Sequence, residues 1–183
     1  MNIKTMPTNP KEIRNMIRND AVDKSTAGMA PGYVQANLVI VHKELAFEFL
    51  LFCNRNPKPC PVLEVTEPGS YEPVKMAPGS DLRYDIPKYR VYRHGELTAE
   101  VTDIAEYWTE DMVAFLTGCS FGFETALIRA GIRLRHIETD TTVPMYITNI
   151  PTNPAGSFSG PMVVSMRPIK KEQVVRSVQV TSR

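Results

Sequence analysis

Residues 118–124 read Gly-Cys-Ser-Phe-Gly-Phe-Glu and separate two segments whose apolar residues recur at helical spacing. Before this stretch, residues 103–117 place large apolar side chains every three or four positions, which predicts an amphipathic helix. After it, residues 123–130 predict a second helix, and Gly131 is suited to end that helix as a C-cap residue. The two glycines allow a sharp turn, so the stretch is predicted to be a tight loop at the start of a helix.

Outward from this loop, helical and extended patterns alternate along the chain. The alternation predicts the mixed α/β class, with a mixed sheet, helices packed on it and room for two interleaved α/β subdomains. We expect one domain over residues 1–183. Within it, residues from about 61 to about 102 are a candidate subdomain insertion. The predicted helices cover residues 11–18, 43–55, 103–117, 123–130 and 170–177. The predicted strands cover residues 37–41, 61–66, 89–92, 96–101, 132–138, 143–150, 162–166 and 178–181, with a hairpin turn at His94-Gly95.

The charge balance argues against two classes of partner. The chain has 21 basic and 20 acidic side chains and a net charge of +1, without a basic run. Nucleic acids and membrane surfaces are bound through clustered basic faces, so we expect neither as a partner. No stretch approaches a transmembrane span in length, and the first residues lack the apolar core of a signal peptide. We therefore expect a cytoplasmic protein whose three cysteines are free thiols.

Motifs for cofactors and metals are missing from the sequence. It contains no Walker loop, no Gly-x-Gly-x-x-Gly after a strand, no His-Glu-x-x-His and no Gly-x-Ser-x-Gly. Cys53 and Cys60 are too far apart for a zinc knuckle, and the three histidines are scattered singly. The sequence therefore predicts no metal site and no cofactor.

The loop at residues 118–122 is the first candidate site. A helix that starts near Phe121 would direct free N–H groups at the loop, where they could stabilise a carboxylate or an oxyanion and activate the Cys119 thiol. Ser120 adds a hydroxyl, and Glu124 is either a general base or a favourable charge at a helix N-terminus. Simple packing also explains a Gly-Cys-Ser turn, and that structural alternative stays open.

Further polar residues form a second set of candidates. On the predicted strand over residues 132–138, Arg135 and His136 would point to opposite faces. Arg135 suits a carboxylate clamp or a solvated face, and His136 is an acid or an ordinary hydrogen-bonded histidine. Arg83 lies between two acidic residues, in a local ion network or on a substrate-binding rim. Polar residues in apolar surroundings need partners if they are buried, and a bound polar ligand can supply them. In this chain such residues are Gln35, Asn37, Tyr146, Asn149, Ser165 and Arg167.

Several longer sequence segments resemble those of a known family. They are Pro31-Gly-Tyr-Val-Gln-Ala-Asn-Leu-Val-Ile40, Phe52-Cys-Asn-Arg-Asn-Pro-Lys-Pro-Cys-Pro61, Asp81-Leu-Arg-Tyr-Asp85, residues 118–124, Val143-Pro-Met-Tyr146 and Ala155-Gly-Ser-Phe-Ser-Gly-Pro-Met-Val-Val-Ser-Met-Arg-Pro168. Together they resemble the D-glutamate cyclase family of hydro-lyases along nearly the whole chain. The resemblance implies a lyase that reversibly dehydrates D-glutamate to 5-oxo-D-proline without a cofactor. Members usually continue past the equivalent of Arg183, so we expect the C-terminal part of the family pattern to be absent.

The implied reaction gives the candidate residues roles. Cyclisation needs a deprotonated amine, a folded γ-carboxyl, donors for the oxyanion and an acid for the departing hydroxide. A thioester on Cys119 is a variant, and Asn37 and Tyr146 are further substrate-binding candidates. Arg135, Arg83 or Arg167 is assigned to bind the α-carboxylate. The Ser120 hydroxyl and the backbone of residues 119–121 are assigned to bind the oxyanion. Glu124 is assigned as the base, and His136 or Cys119 as the acid.

Two other functions stay open at this point. The chain could bind a small amino-acid-like carboxylate without catalysis, or serve as a partner subunit. It could also be a hydro-lyase that acts on another carboxylic acid. The expected partner is a small-molecule carboxylate, and a homo-oligomer is compatible with the sequence.

Overall fold

The structure, a computed structural model, describes residues 8–139 and 141–182. Helices and short strands alternate along these residues, which confirms the predicted mixed α/β class. The helices are α1 (Pro10–Arg18), α2 (Lys43–Arg55), α3 (Glu124–Arg129), α4 (Arg135–Glu138) and α5 (Val174–Thr181). The strands are β1 (Ala36–His42), β2 (Val62–Val65), β3 (Tyr89–Arg93), β4 (Glu96–Val101), β5 (Met112–Gly118), β6 (Met145–Pro151) and β7 (Pro161–Ser165). Within the described ranges, no helix is both long and apolar enough to cross a membrane.

The strands are divided among three small sheets. β1, β5 and β2 lie in that order in a three-stranded sheet, while β3 pairs with β4 and β6 with β7, each antiparallel. The predicted hairpin turn between β3 and β4 is confirmed. His94 and Gly95 both have positive φ angles, 51° and 84°, as a type I′ turn requires.

The chain forms two compact units, each assembled from separated segments as interleaved subdomains would be. The predicted insertion at residues 61–102 stays a prediction. In the described residues, the first unit comprises 8–33, 38–46 and 63–116, and the second comprises 34–37, 47–62, 117–139 and 141–182.

Helix α1 starts where the sequence predicts and belongs to the first unit. The Asn9 side chain caps it by accepting the Lys11 N–H at 2.9 Å, and Pro10 occupies the first helical position, where its missing N–H does no harm. The helix buries Ile13 and Ile17. These two side chains belong to a core cluster with Val22, Met29 and Ala30.

The predicted helix over residues 103–117 is wrong. The structure has a single 3₁₀ turn at Ala105–Tyr107, followed by β5. β5 is the middle strand of its sheet, and residues 113–117 are all buried. A strand that is buried on both faces is apolar throughout and lacks the usual alternation, so its spacing also fits a helix.

The predicted strand over residues 132–138 is also wrong. The chain is extended at Leu134 and then forms α4. Ile132 and Leu134 are nevertheless buried in alternation, because both pack against Leu127 of α3. The alternating pattern therefore reported the burial correctly and the backbone wrongly.

The last predicted strand, residues 178–181, belongs to α5. Its valines favour strands as isolated residues, but Val180 packs on the buried cluster formed by Leu127 and Ile132. The Thr181 hydroxyl donates to the Ser177 carbonyl at 2.9 Å, a bond that only a helix allows at this spacing. The predicted strand–helix–strand ending is thus a 3₁₀ turn that leads into one helix.

Candidate functional site

The polar cluster of interest lies in the second unit and is centred on Glu124. Glu124 begins α3, and its side chain is 4% exposed. Nε and Nη2 of Arg167 both donate to its Oε1, at 2.8 and 2.5 Å. The Arg167 side chain is 7% exposed, so both charges are withdrawn from water. A buried ion pair of this kind depends on its hydrogen bonds, because each charge alone would be costly to bury.

The hairpin of β6 and β7 positions Arg167. Ser165 ends β7 opposite Met145, and Arg167 follows two residues later. The Arg167 guanidinium also lies over the Phe123 ring, with Cζ 4.9 Å from the ring centroid. Stacking on an aromatic face and pairing with Glu124 together fix the plane of the guanidinium.

Two serine hydroxyls also accept N–H groups from Arg167, and the Ser120 carbonyl lies 3.5 Å from Nη2. Nη1 donates to Ser165 Oγ at 2.9 Å, and Nη2 donates to Ser120 Oγ at 3.0 Å. The two hydroxyl oxygens are themselves 3.2 Å apart, within hydrogen-bonding distance. The loop that carries Ser120 and the strand that carries Ser165 are therefore joined through one guanidinium.

His136 faces the same carboxylate oxygen. Its side chain is 6% exposed, and Nε2 lies 2.9 Å from Glu124 Oε1. The two groups are not aligned as a hydrogen bond, so Nε2 is a buried nitrogen without a hydrogen-bond partner in the described residues. Leaving such an atom unpaired is costly in a protein interior, and a catalytic role is one of the recognised reasons for it.

The predicted loop is a 3₁₀ turn over Ser120–Phe123 that leads directly into α3. The Gly122 N–H bonds to the Cys119 carbonyl at 3.1 Å, which closes the turn. The N–H groups of Ser120 and Phe121, at the head of the turn, have no acceptor within it. The half-buried Cys119 side chain forms no hydrogen bond with Glu124 or His136 in the part of the chain that the structure describes.

Three other predicted residues of this unit are exposed and stand outside the cluster. Arg135, the first residue of α4, forms no ion pair with any described residue. Tyr146 lies on β6 with 52% of its surface exposed. The Asn37 side chain is exposed, and its carbonyl accepts the Thr117 hydroxyl at 3.5 Å.

Arg83 belongs to the first unit and has its own partners. Its Nε and Nη2 donate to Asp81 at 2.9 and 2.7 Å, and Cζ lies 3.7 Å from the centroid of the Tyr71 ring. Burial alone would raise the pKa of the Asp81 carboxyl, but the hydrogen bonds from Arg83 outweigh burial and hold that pKa below its ordinary value. These contacts form a local ion network around Arg83, which is one of the two alternatives that the sequence left open for this residue.

The sequence did not indicate that Glu124 and Arg167 form a pair. The two residues are 43 positions apart, and their elements are joined only by tertiary packing. The available signal was a polar side chain in apolar surroundings, which applies to both Arg167 and Ser165. The role of the Phe123 ring as a platform for the guanidinium had no signal at all.

Comparison with known proteins places the chain in a family. The family model for D-glutamate cyclase matches residues 113–183, which include every member of the Glu124 cluster. A protein from Geobacillus kaustophilus (strain HTA426) is 67% identical over 177 residues, which cover 97% of this chain and 67% of that protein. A protein from Bacillus subtilis (strain 168) is 60% identical over 174 residues, which cover 95% of this chain and 68% of that protein.

A third relative, from Stutzerimonas stutzeri (strain A1501), is 62% identical over 174 residues, which cover 95% of this chain and 66% of that protein. All three relatives carry the name "Putative hydro-lyase". The chain spans about two thirds of the length of these relatives. Identity at this level along nearly the whole chain establishes that it belongs to the D-glutamate cyclase family.

Proposed function

We propose that this chain is a lyase that reversibly cyclises D-glutamate to 5-oxo-D-proline without a cofactor. Family membership supports the reaction class. The observation that carries the assignment to a site is the buried contact between His136 Nε2 and Glu124 Oε1, 2.9 Å apart and unaligned. An imidazole beside a carboxylate is a pair of groups that can move protons near neutral pH.

The reaction needs two proton transfers and no redox step. The amine nitrogen attacks the γ-carboxyl carbon, so a C–N bond forms, and a C–O bond breaks to release water. Two protons leave the ammonium nitrogen, and both end on the departing oxygen. Substrate and products carry the same net charge, so acid–base groups and oxyanion donors are sufficient.

Glu124 and His136 suit these two transfers. Oε1 of Glu124 is held by Arg167, whereas Oε2 accepts no hydrogen bond from a described residue. We assign Oε2 as the base that takes one proton from the ammonium group and later returns it to the departing oxygen. His136 gives the departing oxygen its second proton and recovers one from the amine nitrogen, so both groups end in their starting protonation states. Positioned acid–base groups of this kind contribute roughly 10²- to 10⁴-fold to rate.

The loop supplies the oxyanion donors in this proposal. The N–H groups of Ser120 and Phe121 head the 3₁₀ turn, and the Ser120 hydroxyl stands beside Arg167. Donors that are fixed before the reaction stabilise a tetrahedral oxyanion without reorganisation. Direct attack by Cys119 is not required by this route.

Arg135 is the arginine that we assign to the α-carboxylate. Arg167 is committed to Glu124, and Arg83 is committed to Asp81. The exposed Arg135 has no acidic partner among the described residues and directly precedes His136. Asn37 and Tyr146 remain proposed contacts for the rest of the substrate.

Proton NMR tests the proposed reaction in both directions. The protein is incubated with D-glutamate or with 5-oxo-D-proline, and the L-enantiomers serve as controls. We expect both D-compounds to approach the same mixture at a rate above that of the protein-free blank. No interconversion from either side would overturn the proposal. Thermal stabilisation by 5-oxo-D-proline without turnover would instead support a binding protein for such carboxylates.

A further inference from the structure

We propose that Ser165 is a positioning residue that holds the Ser120 hydroxyl as a hydrogen-bond donor to the oxyanion. This inference rests on the proposed function. The geometry that supports it is a closed ring of three hydrogen bonds. Arg167 Nη1 donates to Ser165 Oγ at 2.9 Å, Arg167 Nη2 donates to Ser120 Oγ at 3.0 Å, and Ser165 Oγ donates to Ser120 Oγ at 3.2 Å.

The protons in this ring can be counted. Guanidinium nitrogens only donate, so each serine oxygen accepts one N–H from Arg167. Each hydroxyl also carries one proton of its own, and one of these two protons lies between the serines. With Ser165 as the donor, the Ser120 proton has no acceptor among the described residues. The ring therefore offers one spare O–H group, and it offers this group on Ser120.

Ser165 also fixes the direction of that spare proton. A serine oxygen has two lone pairs, and on Ser120 one accepts from Arg167 and the other from Ser165. With both lone pairs engaged, one tetrahedral direction is left for the Ser120 proton. If Ser165 were absent, the second lone pair would be free and the hydroxyl could rotate.

The surroundings keep the ring in place. Ser165 lies at the end of β7, where pairing with Met145 sets its position, and the Ser120 backbone is held in the 3₁₀ turn. Glu124 neutralises the guanidinium, so the spare O–H is a neutral donor and its strength comes from its fixed direction. This is the usual requirement for an oxyanion donor.

A double-mutant cycle on the full chain tests the inference. The variants are Ser165→Ala, Ser120→Ala, the double variant and Ser165→Thr. We expect Ser165→Ala to lower kcat for interconversion about tenfold with little change in KM, because the donor acts on the oxyanion and not on the bound substrate. In the Ser120→Ala background, Ser165→Ala should have no further effect on kcat. Ser165→Thr should keep most of the wild-type kcat because it retains the hydroxyl.

Two results would overturn the inference while leaving the proposed function intact. One is a Ser165→Ala variant with wild-type kcat. The other is an equal loss in the wild-type and Ser120→Ala backgrounds, which would indicate a structural role. The thermal midpoint of each variant shows whether the fold is retained.

A second readout does not require turnover. If the wild-type chain fails to interconvert the two compounds, the proposed function is wrong, and the ring is then judged by NMR of the Arg167 guanidinium N–H groups. We expect slowly exchanging signals that broaden in both Ser165→Ala and Ser120→Ala. Signals that are unchanged in either variant would show that the ring does not hold Arg167 in solution.

Discussion

Glu124 and Arg167 show how the local setting of a residue determines its use. Glu124 starts a helix, where a negative charge is favourable, and it also accepts two N–H groups from one guanidinium. This arrangement anchors one carboxylate oxygen and leaves the other for chemistry. At the residue scale, the sequence predicted Glu124 as a candidate base, but the pairing with Arg167 follows only from the fold.

The thioester variant is tested by Cys119→Ser. Our acid–base route predicts that this substitution changes kcat less than tenfold, because the thiol forms no hydrogen bond with Glu124 or His136 in the described residues and takes no step in the route. Loss of a true nucleophile would cost on the order of 10⁴-fold or more. Steady-state kinetics decide between the two routes. Cys60→Ser, another half-buried thiol, is the matched control.

Buried hydroxyl and thiol groups predict a loss of stability at alkaline pH. Burial, with a smaller effect of the neighbouring Cys60, raises the pKa of the Cys53 thiol from 9.0 to about 11, and burial also raises the pKa of Tyr89. Between pH 9.0 and about 11, the Cys53 thiol releases its proton in the unfolded state and keeps it in the folded state. The unfolded state therefore binds fewer protons, and the free energy of unfolding falls as pH rises above about 9.

Urea unfolding between neutral pH and about pH 10 measures this fall. The comparison that matters is the slope against pH, since Cys53→Ala also changes packing. We expect a shallower slope in Cys53→Ala than in the wild type. Identical slopes would mean that Cys53 does not titrate with the pKa given above.

At the scale of elements, a helix or strand was predicted correctly mainly where one of its faces is exposed. The bounds of α2 agree with the predicted residues 43–55, and the hairpin of β3 and β4 lies where its turn residues indicate. These elements are partly exposed, so their periodicity is visible in the sequence. β5 is buried on both sides, which hides its period, whereas the valines of α5 favour a strand although the segment is helical.

Asp85 joins α1 to the segment that precedes β3 in the first unit. Its side chain is 2% exposed and accepts two N–H groups from Arg18, at 2.5 and 2.9 Å, with Arg14 at 3.6 Å. Asp85→Ala would remove the acceptor of two N–H groups of Arg18, whose side chain is 40% exposed and stays hydrated, and should lower the free energy of unfolding by about 2 kcal/mol. Chemical denaturation measures this loss.

The hairpin of β3 and β4 offers a matched control for that prediction. Glu100 pairs with Arg90 at 2.7 Å on an exposed surface. Because water and salt screen such a pair, Glu100→Ala should leave the unfolding midpoint nearly unchanged. Equal losses in the two variants would contradict a special role for burial at Asp85.

At the scale of the whole molecule, the β6–β7 sheet of the second unit carries several exposed large apolar side chains. Large apolar side chains are exposed on both strands of the β6–β7 sheet, and among the described residues each of these strands pairs with one neighbour and leaves its other edge unpaired. Isolated two-stranded sheets are marginally stable in water, and contiguous exposed apolar surface commonly marks an interface. The exposed residues of the two strands include Met145 (63%), Tyr146 (52%), Ile147 (76%), Ile150 (53%), Val163 (54%) and Val164 (38%).

We therefore expect copies of this chain to associate in solution through the β6–β7 sheet. Ile147 and Val163 face each other in the strand register, so Ile147→Lys places a charge at the centre of the apolar surface. Sedimentation velocity over a range of concentrations should show oligomers for the wild type and a shift towards monomer for this variant. Val74→Lys, a change at a 62% exposed residue in the first unit, is the control. A wild-type chain that is monomeric at every concentration would contradict the expectation.

The predictability of the site has the same physical limit as that of the fold. Cys119, Ser120 and Glu124 became candidates because they are neighbours in one recognisable loop. His136 and Arg167 were candidates as isolated polar residues, and their convergence on one carboxylate oxygen depends on α4 and the end of β7. Single-sequence patterns report local geometry, and this cluster is built from contacts between distant segments.

The most direct test of the account compares interconversion of D-glutamate and 5-oxo-D-proline by the wild type, Glu124→Gln and Glu138→Gln. Glu138 is an exposed glutamate of α4 that pairs with Arg133, so it controls for loss of a carboxylate elsewhere in the same unit. We predict that Glu124→Gln lowers kcat by about 10² to 10⁴-fold while Glu138→Gln retains wild-type activity. Wild-type turnover in Glu124→Gln would contradict it.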